Sequence, residues 1–195
     1  MTEFDLSAFE APLTVPELPS GPVVLRPFNL SDLPLIRQAA MDPYIVTVTS
    51  VPSVYNDDEG RAFIDRQREG AAGGHGYSFV VADAANPALG LGGLGLWLHE
   101  IENGRASIGY WVAPSARGRH LAGWGLRGAV AFAFEALAIP RLHLFIEPWN
   151  VASQRTAIFA GFSREALLRG WERIDHRQHD AYSYALLRRE WQPPA

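Results

Sequence analysis

The chain has 195 residues, a formal net charge of −4, and 48% hydrophobic against 19% charged residues. Those numbers suit one domain of ordinary size with a substantial core, and they exclude global disorder. The absence of cysteine excludes disulfides, thiolate metal sites and cysteine nucleophiles, and an acidic balance with no lysine-rich block argues against nucleic acid as the partner.

Residues 1–21 hold Glu3, Asp5, Glu10 and Glu17, no basic residue, and Pro12, Pro16 and Pro19. That is the composition of an extended arm. It reads either as a loosely packed tail or as a segment whose Phe4, Leu6 and Phe9 pack on the body or on a second subunit. Residues 22–191 then form a single domain, and 192–195 a tail. The acidic start lacks a signal-peptide charge pattern, and no apolar run reaches the ~20 residues that span a bilayer. The expectation is a cytoplasmic protein with no membrane partner.

Residues 23–26 are a first strand, closed by Pro27. Ser31 is placed as an N-cap with Asp32 first in the helix and Pro34 in its first turn. Leu33, Ile36, Arg37 and Ala40 follow at helical spacing. Residues 44–55 are apolar but broken by Pro52, which predicts a loop or short helix. Asp57 or Asp58 caps a second helix through Phe63, Ile64 and Gln67, ending at Gly70. Residues 77–82 are a clear strand, and Asn86-Pro87 turns the chain. The next strand, 89–98, carries Gly90, Gly92, Gly93 and Gly95, as at a bulge or a close backbone approach. A polar hairpin turn is centred on Asn103-Gly104.

Residues 107–160 organise the rest. IGYWV at 108–112 is a short apolar strand stopped by Pro114 and Ser115. Arg117, Gly118, Arg119, His120, Leu121 and Ala122 lead into an apolar helix expected over 121–138, with only Arg127 and Glu135 charged within it. The first N–H groups of a helix have no internal partner and carry about half a positive charge. A diphosphate would accept bonds from them, with Arg117 and Arg119 neutralising it from the side. Pro140 ends the helix, and 142–146 is the next strand. Asn150 then caps a helix with Ser153 in its first turn. Residues 162–171 read as a strand, 172–179 as a polar turn, and 181–188 as a last strand.

The loop Arg117-Gly118-Arg119-His120-Leu121-Ala122 resembles the Arg/Gln-x-x-Gly-x-Gly/Ala loop of the GNAT superfamily of acetyl-CoA-dependent N-acetyltransferases. Gly109-Tyr110-Trp111 before it and Asn150-Val151-Ala152-Ser153 and Gly161-Phe162 after it are similar to the RimJ/RimL-type branch, which acetylates protein N-termini. So are Asp180, Tyr182-Ser183 and Glu190-Trp191. The likeness holds in order and spacing from about Val23 to Trp191. It implies an α/β domain with a mixed, twisted sheet of six or seven strands and helices on both faces. The strands at 108–112 and 142–146 would splay so that the cofactor enters between them. It implies acetyl-CoA as co-substrate, no metal, and acetyl transfer to a primary amine, a protein N-terminus or a small amine, by direct attack in a ternary complex. Monomer and homodimer both fit. A CoA-binding regulatory or scaffold protein without catalysis is the alternative.

The resemblance assigns cofactor contacts to Trp111, Val112, Arg117, Gly118, Arg119, His120, Leu121, Ala122, Asn150 and Ser153. Amide formation from a thioester needs a deprotonated amine, a polarised carbonyl and a proton for the departing thiolate. By resemblance Ser153 lies near the cofactor sulfur and supplies that proton; otherwise it is an ordinary serine in a first turn. Asn150 is a helix cap and, by resemblance, a neighbour of the pantetheine arm. Glu147 follows a strand at the splayed end of the sheet and is the best-placed base. Glu100, Glu102, Glu172 and Asp175 are the other carboxylates, each otherwise a solvated loop charge. His120 stands where the loop pattern has its central glycine, and Ser107 and Trp124 where the branch often has glutamate. The base is therefore another residue or a water relay. His176 and His179 lie three apart beside Asp175 and Asp180, but with no third histidine near and no cysteine no metal site is expected. Tyr110, Trp111, Trp124 and Trp149 read as core or pocket walls.

Overall fold

The structure, a computed structural model, describes residues 4–193. Glu3 of the acidic arm and Pro194 of the tail lie outside them. The architecture is a mixed α/β fold built on one open sheet of eight strands. The strands are β1 Leu18–Ser20, β2 Val23–Pro27, β3 Gly76–Asp83, β4 Gly90–Trp97, β5 Arg105–Val112, β6 Arg141–Ile146, β7 Ser163–Ile174 and β8 Arg177–Leu187. Their order across the sheet is β1-β2-β3-β4-β5-β6-β8-β7, antiparallel everywhere except at the parallel β5/β6 junction. The helices are α1 Leu33–Ala40, α2 Pro43–Val48, α3 Asp57–Ala72, α4 Leu121–Ala131, continued by a wider turn Phe132–Ala136, and α5 Val151–Phe159.

Each face of the sheet carries its own core. On one, Leu25, Phe79, Leu96 and Leu142 pack with Leu126 and Phe134 from α4 and its continuation. On the other, Val80 and Ala82 pack with Ile36, Ile45, Phe63 and Ile64 from α1–α3. Strands β3 and β4 are covered on both sides, and so they read as apolar runs and not as an alternation.

Several boundaries differ from expectation for local physical reasons. The added strand is β1, in the segment expected to be an arm; an edge position tolerates its Pro19. Phe9 is buried and Phe4 packs on the same core, whereas Leu6 stays exposed. Asn29, not Ser31, caps the first helical segment, accepting the Ser31 N–H and heading a tight turn Leu30–Asp32. Asn56, not Asp57 or Asp58, caps α3 through the Glu59 N–H. α3 also runs through Gly70 to Ala72, since an interior glycine costs only about 1 kcal/mol. The late polar turn contracts to Asp175 and His176, both with positive φ, because Glu172 pairs with His179 and Arg173 with Gln178 across the hairpin.

Asp32 is buried against Arg26. Two guanidinium N–H groups reach its two oxygens at 2.9 and 2.7 Å, and the Asn29 N–H donates to it at 2.9 Å. Removing one member strands the other charge, so Asp32→Ala lowers the urea-unfolding free energy by about 3–5 kcal/mol. The double change Arg26→Met/Asp32→Leu recovers most of it. Loss of under 1 kcal/mol in the single variant would show that the pair is dispensable.

The feature that positions the site is the β5/β6 junction. Pairing runs through Arg105↔Arg141, Ala106↔Leu142 and Ser107↔His143 and then stops. Beyond it β5 stays with β4, and β6 with β8. The strands part, and each presents one unpaired backbone edge to the gap.

Candidate active site

A cavity of about 570 Å³ opens where β5 and β6 separate and extends toward α2 and α3. Glu147, Asn150, Ser153 and Trp111 all line it. Of the other carboxylates considered from sequence, Glu100 and Glu172 line it, and Glu102 and Asp175 do not.

Glu147 follows the last residue of β6 and is 6% exposed. Its Oε2 accepts the Tyr44 hydroxyl at 2.9 Å, and its Oε1 lies 2.8 Å from His179 Nδ1. Tyr44 sits in the first turn of α2, held there because Asp42 caps that helix by accepting the N–H groups of Tyr44 and Ile45. Burial, more than the neighbouring Glu147, pushes the Tyr44 hydroxyl well above the usual tyrosine range, so it remains a donor. Its ring packs edge-on against Trp149, and Asn150 Nδ2 approaches its oxygen at 3.5 Å. Glu172 of β7 faces the same group; burial first, then the Glu147 charge, raises its carboxyl above the ordinary range.

Ser153 lies across the gap. Its N–H donates to Asn150 Oδ1 at 3.1 Å, so the cap that starts α5 also places the serine. Its Oγ is 2.8 Å from the Tyr110 hydroxyl, which also reaches the Ser153 carbonyl at 3.0 Å. Burial pushes the Tyr110 hydroxyl up to about 12, against the opposing pull of Ser153. Tyr110 thus keeps its proton at any working pH. Either hydroxyl of the pair can donate to the other, and Ser153 lines the cavity.

The loop that resembles a diphosphate cradle lies past the end of β5. Gly118 has φ +76° and His120 φ +58°. His120 therefore adopts the left-handed backbone that glycine takes most easily, not the negative φ that a non-glycine residue favours. It heads α4 as its N-cap, with its carbonyl accepting the Gly123 and Trp124 N–H groups. Among the described residues, the N–H groups of Gly118, Arg119 and His120 have no protein acceptor. The two arginines differ. Arg117 is turned to Asp42, Nη2 to Oδ2 2.6 Å, and its Nε donates to the Val112 carbonyl. Arg119 is exposed and makes no ion pair among the described residues. Burial would raise the Asp42 carboxyl, but the Ile45 N–H and Arg117 outweigh it, and its net shift is downward.

Exposed N–H groups at a helix start, a free guanidinium beside them, and two unpaired strand edges are the donor set a diphosphate with an amide-bearing tail requires. Leu121 and Ala122 open α4 and supply the next N–H groups. The resemblance places the 44–55 stretch at the border of the acceptor site, but the sequence shows neither the bond from Tyr44 to Glu147 nor the tie between His179 and Glu147. Tyr44 meets Glu147 103 positions away and carries no local signal. His179, which the sequence sets three residues from His176, has Glu147 as its partner. His143 was also missed. It lines the cavity from β6, 3.5 Å from Glu100, and burial lowers its ring below the ordinary histidine range.

Residues 23–163 match the model of a family described as an acetyltransferase (GNAT) domain. The N-acetyltransferase p20 of Bacillus licheniformis, itself uncharacterized, is 27% identical over 173 residues, covering 87% of this chain and 94% of that protein. The fold is similar to Mycobacterium smegmatis RimJ, solved with a CoA disulfide, at TM-score 0.73 and 23% identity, covering 90% of this chain and 88% of that one. It is equally similar to RimL, described as a ribosomal L7/L12 α-N-protein acetyltransferase with coenzyme A: TM-score 0.73, 20% identity, 88% of this chain and 98% of that one.

Proposed function

This chain belongs to the GNAT acetyltransferase family, and from that premise we propose that it transfers an acetyl group from acetyl-CoA to a primary amine by direct attack in a ternary complex. The observation that carries the reading is that the parted strands β5 and β6 open one cavity with Glu147 and Ser153 both on its walls.

The amine nitrogen attacks the thioester carbonyl carbon, forming C–N as C–S breaks. Glu147 takes the proton the nitrogen sheds. His179, with its side chain 35% exposed and bonded to Glu147, relays that proton to solvent. Ser153 gives its hydroxyl proton to the departing thiolate and recovers one from solvent, with the Tyr110 hydroxyl holding its oxygen in place. Backbone N–H groups on the parted edges polarise the carbonyl. Arg119 and the N–H groups of Gly118, His120, Leu121 and Ala122 hold the diphosphate. Trp111 and Val112, at the end of β5, and Asn150 flank the tail.

Calorimetric titration with acetyl-CoA tests the cofactor half. A charge-assisted contact contributes roughly 1.5–3 kcal/mol, so Arg119→Ala weakens binding by about 10–100-fold. Arg117→Ala weakens it less, because Asp42 already takes that charge. No binding at millimolar acetyl-CoA would overturn the assignment. Binding without acetylation of any amine would instead favour a catalytically silent CoA binder.

A further inference from the structure

One wall of the cavity beside the β5/β6 gap carries an indole. Trp97, the last residue of β4, folds back along the sheet and lies on glycine. A Cβ at Gly95 would sit 2.5 Å from its ring, and one at Gly109, across on β5, 2.8 Å. Glycine inside a strand weakens it and marks a close approach; here the two glycines make the bed for one ring. Trp111 rests on Gly93 in the same manner, 2.7 Å from a Cβ there, but it packs into the helix-side core. Trp97 belongs to neither core and is 40% exposed, yet it lines the cavity. Among the described residues no other ring or guanidinium stacks on it.

The charges around the cavity are arranged unevenly. Among the described residues no arginine lines it. At the Trp97 end Glu100 is the carboxylate among the described residues that line it, and it is already bound by Arg105. At the other end Glu147 faces Glu172, whose carboxyl makes no hydrogen bond or ion pair among the described residues, with His179 beside both. A bound molecule is therefore met by a flat, neutral, apolar surface at one end and by negative charge at the other. The spacing follows from register. Gly109 lies two residues past the last β5/β6 pair and Glu147 four residues past it. Gly109, which beds the ring, and Glu147 are thus offset by about two residues, roughly 7 Å, in the strand direction.

Building on the acetyl-transfer reading above, we infer that the acceptor is a primary amine joined by a short tether of two or three carbons to an aromatic ring that stacks on Trp97. A flat open indole face matches a ring better than an alkyl chain, which needs a groove to close around it. The ammonium enters between Glu147 and Glu172, and its proton leaves to Glu147. Both a free arylalkylamine and a peptide with an N-terminal aromatic residue present this group, with the same tether from ring to nitrogen.

The test measures kcat/KM of the full chain with acetyl-CoA for two matched pairs: 2-phenylethylamine against butylamine, and a peptide beginning with Phe against the same peptide beginning with Ala. The aromatic member of at least one pair is favoured about tenfold or more, and the pair that shows it identifies the source. Trp97→Ala brings that ratio close to one, and Trp97→Phe, which keeps a ring on the glycine bed, retains most of it. Equal rates for aromatic and aliphatic members, or a ratio that survives in Trp97→Ala, would overturn the inference and leave acetyl transfer standing. Failure to acetylate all four would overturn both. The wild-type ratios decide even if the alanine variant does not fold.

Discussion

Glu147→Gln lowers kcat/KM for acetyl transfer by about 10²–10⁴-fold, the range that a positioned general base contributes, while acetyl-CoA affinity changes by less than about threefold. The amide keeps the volume of the carboxylate and an oxygen for the Tyr44 hydroxyl, so the α2 contact survives. What disappears is the ability to take a proton and hand it to His179. Steady-state rates beside calorimetric binding separate the two quantities. His179→Gln should reduce the rate less, since water can replace a half-exposed relay but not the buried acceptor. If Glu147→Gln keeps more than a tenth of wild-type turnover, Glu147 is not the proton acceptor, and buried His143 becomes the group to test.

Ser153→Ala is expected to slow single-turnover acetyl transfer by on the order of 10²-fold, the lower end for loss of a positioned proton donor. Affinity for CoA changes little. The N-cap of α5 is unaffected, because Asn150 accepts the backbone N–H of position 153 and not its side chain. The defect should hold from pH 6 to pH 10, since Tyr110, pushed up to about 12, does not lose its proton in that window. Tyr110→Phe should be milder, because the serine hydroxyl remains and can recover its proton from water. A protein that only binds CoA would show no change in any variant. Equal single-turnover rates for wild type and Ser153→Ala would remove the serine from the chemistry.

Local pattern carried much of this architecture. Strands β3, β5 and β6 are short apolar runs flanked by Gly, Pro or polar residues, and such runs stay strands in any context that buries them. Asn150 caps α5 as its position before the helix requires. The glycines of β4 pointed to a bulge or a close backbone approach; the ladder to β3 shifts register between Gly92 and Gly90, and two indole rings lie on Gly93 and Gly95. Where local signals competed, tertiary contacts chose between them. Ser31 and Asn29 are both good caps, and burying Asp32 against Arg26 settled the frame on Asn29. Glu172 and His179 are polar enough for a turn, but cross-strand pairing with β8 drew them into a hairpin.

The sequence by itself determined most of the order of elements from β2 onward, the helix that starts after His120, and Ser153 in the first turn of a capped helix. All of these rest on residues within a few positions of one another. Only the tertiary structure decided what those groups do to each other. It parted β5 from β6 after Ser107, where the partners lie 36 residues apart. It put Tyr44 and His179 on Glu147, and Tyr110 on Ser153. It also gave Arg117 to Asp42 and left Arg119 free. Such pairings depend on three-dimensional closure between distant segments, and no local propensity encodes them.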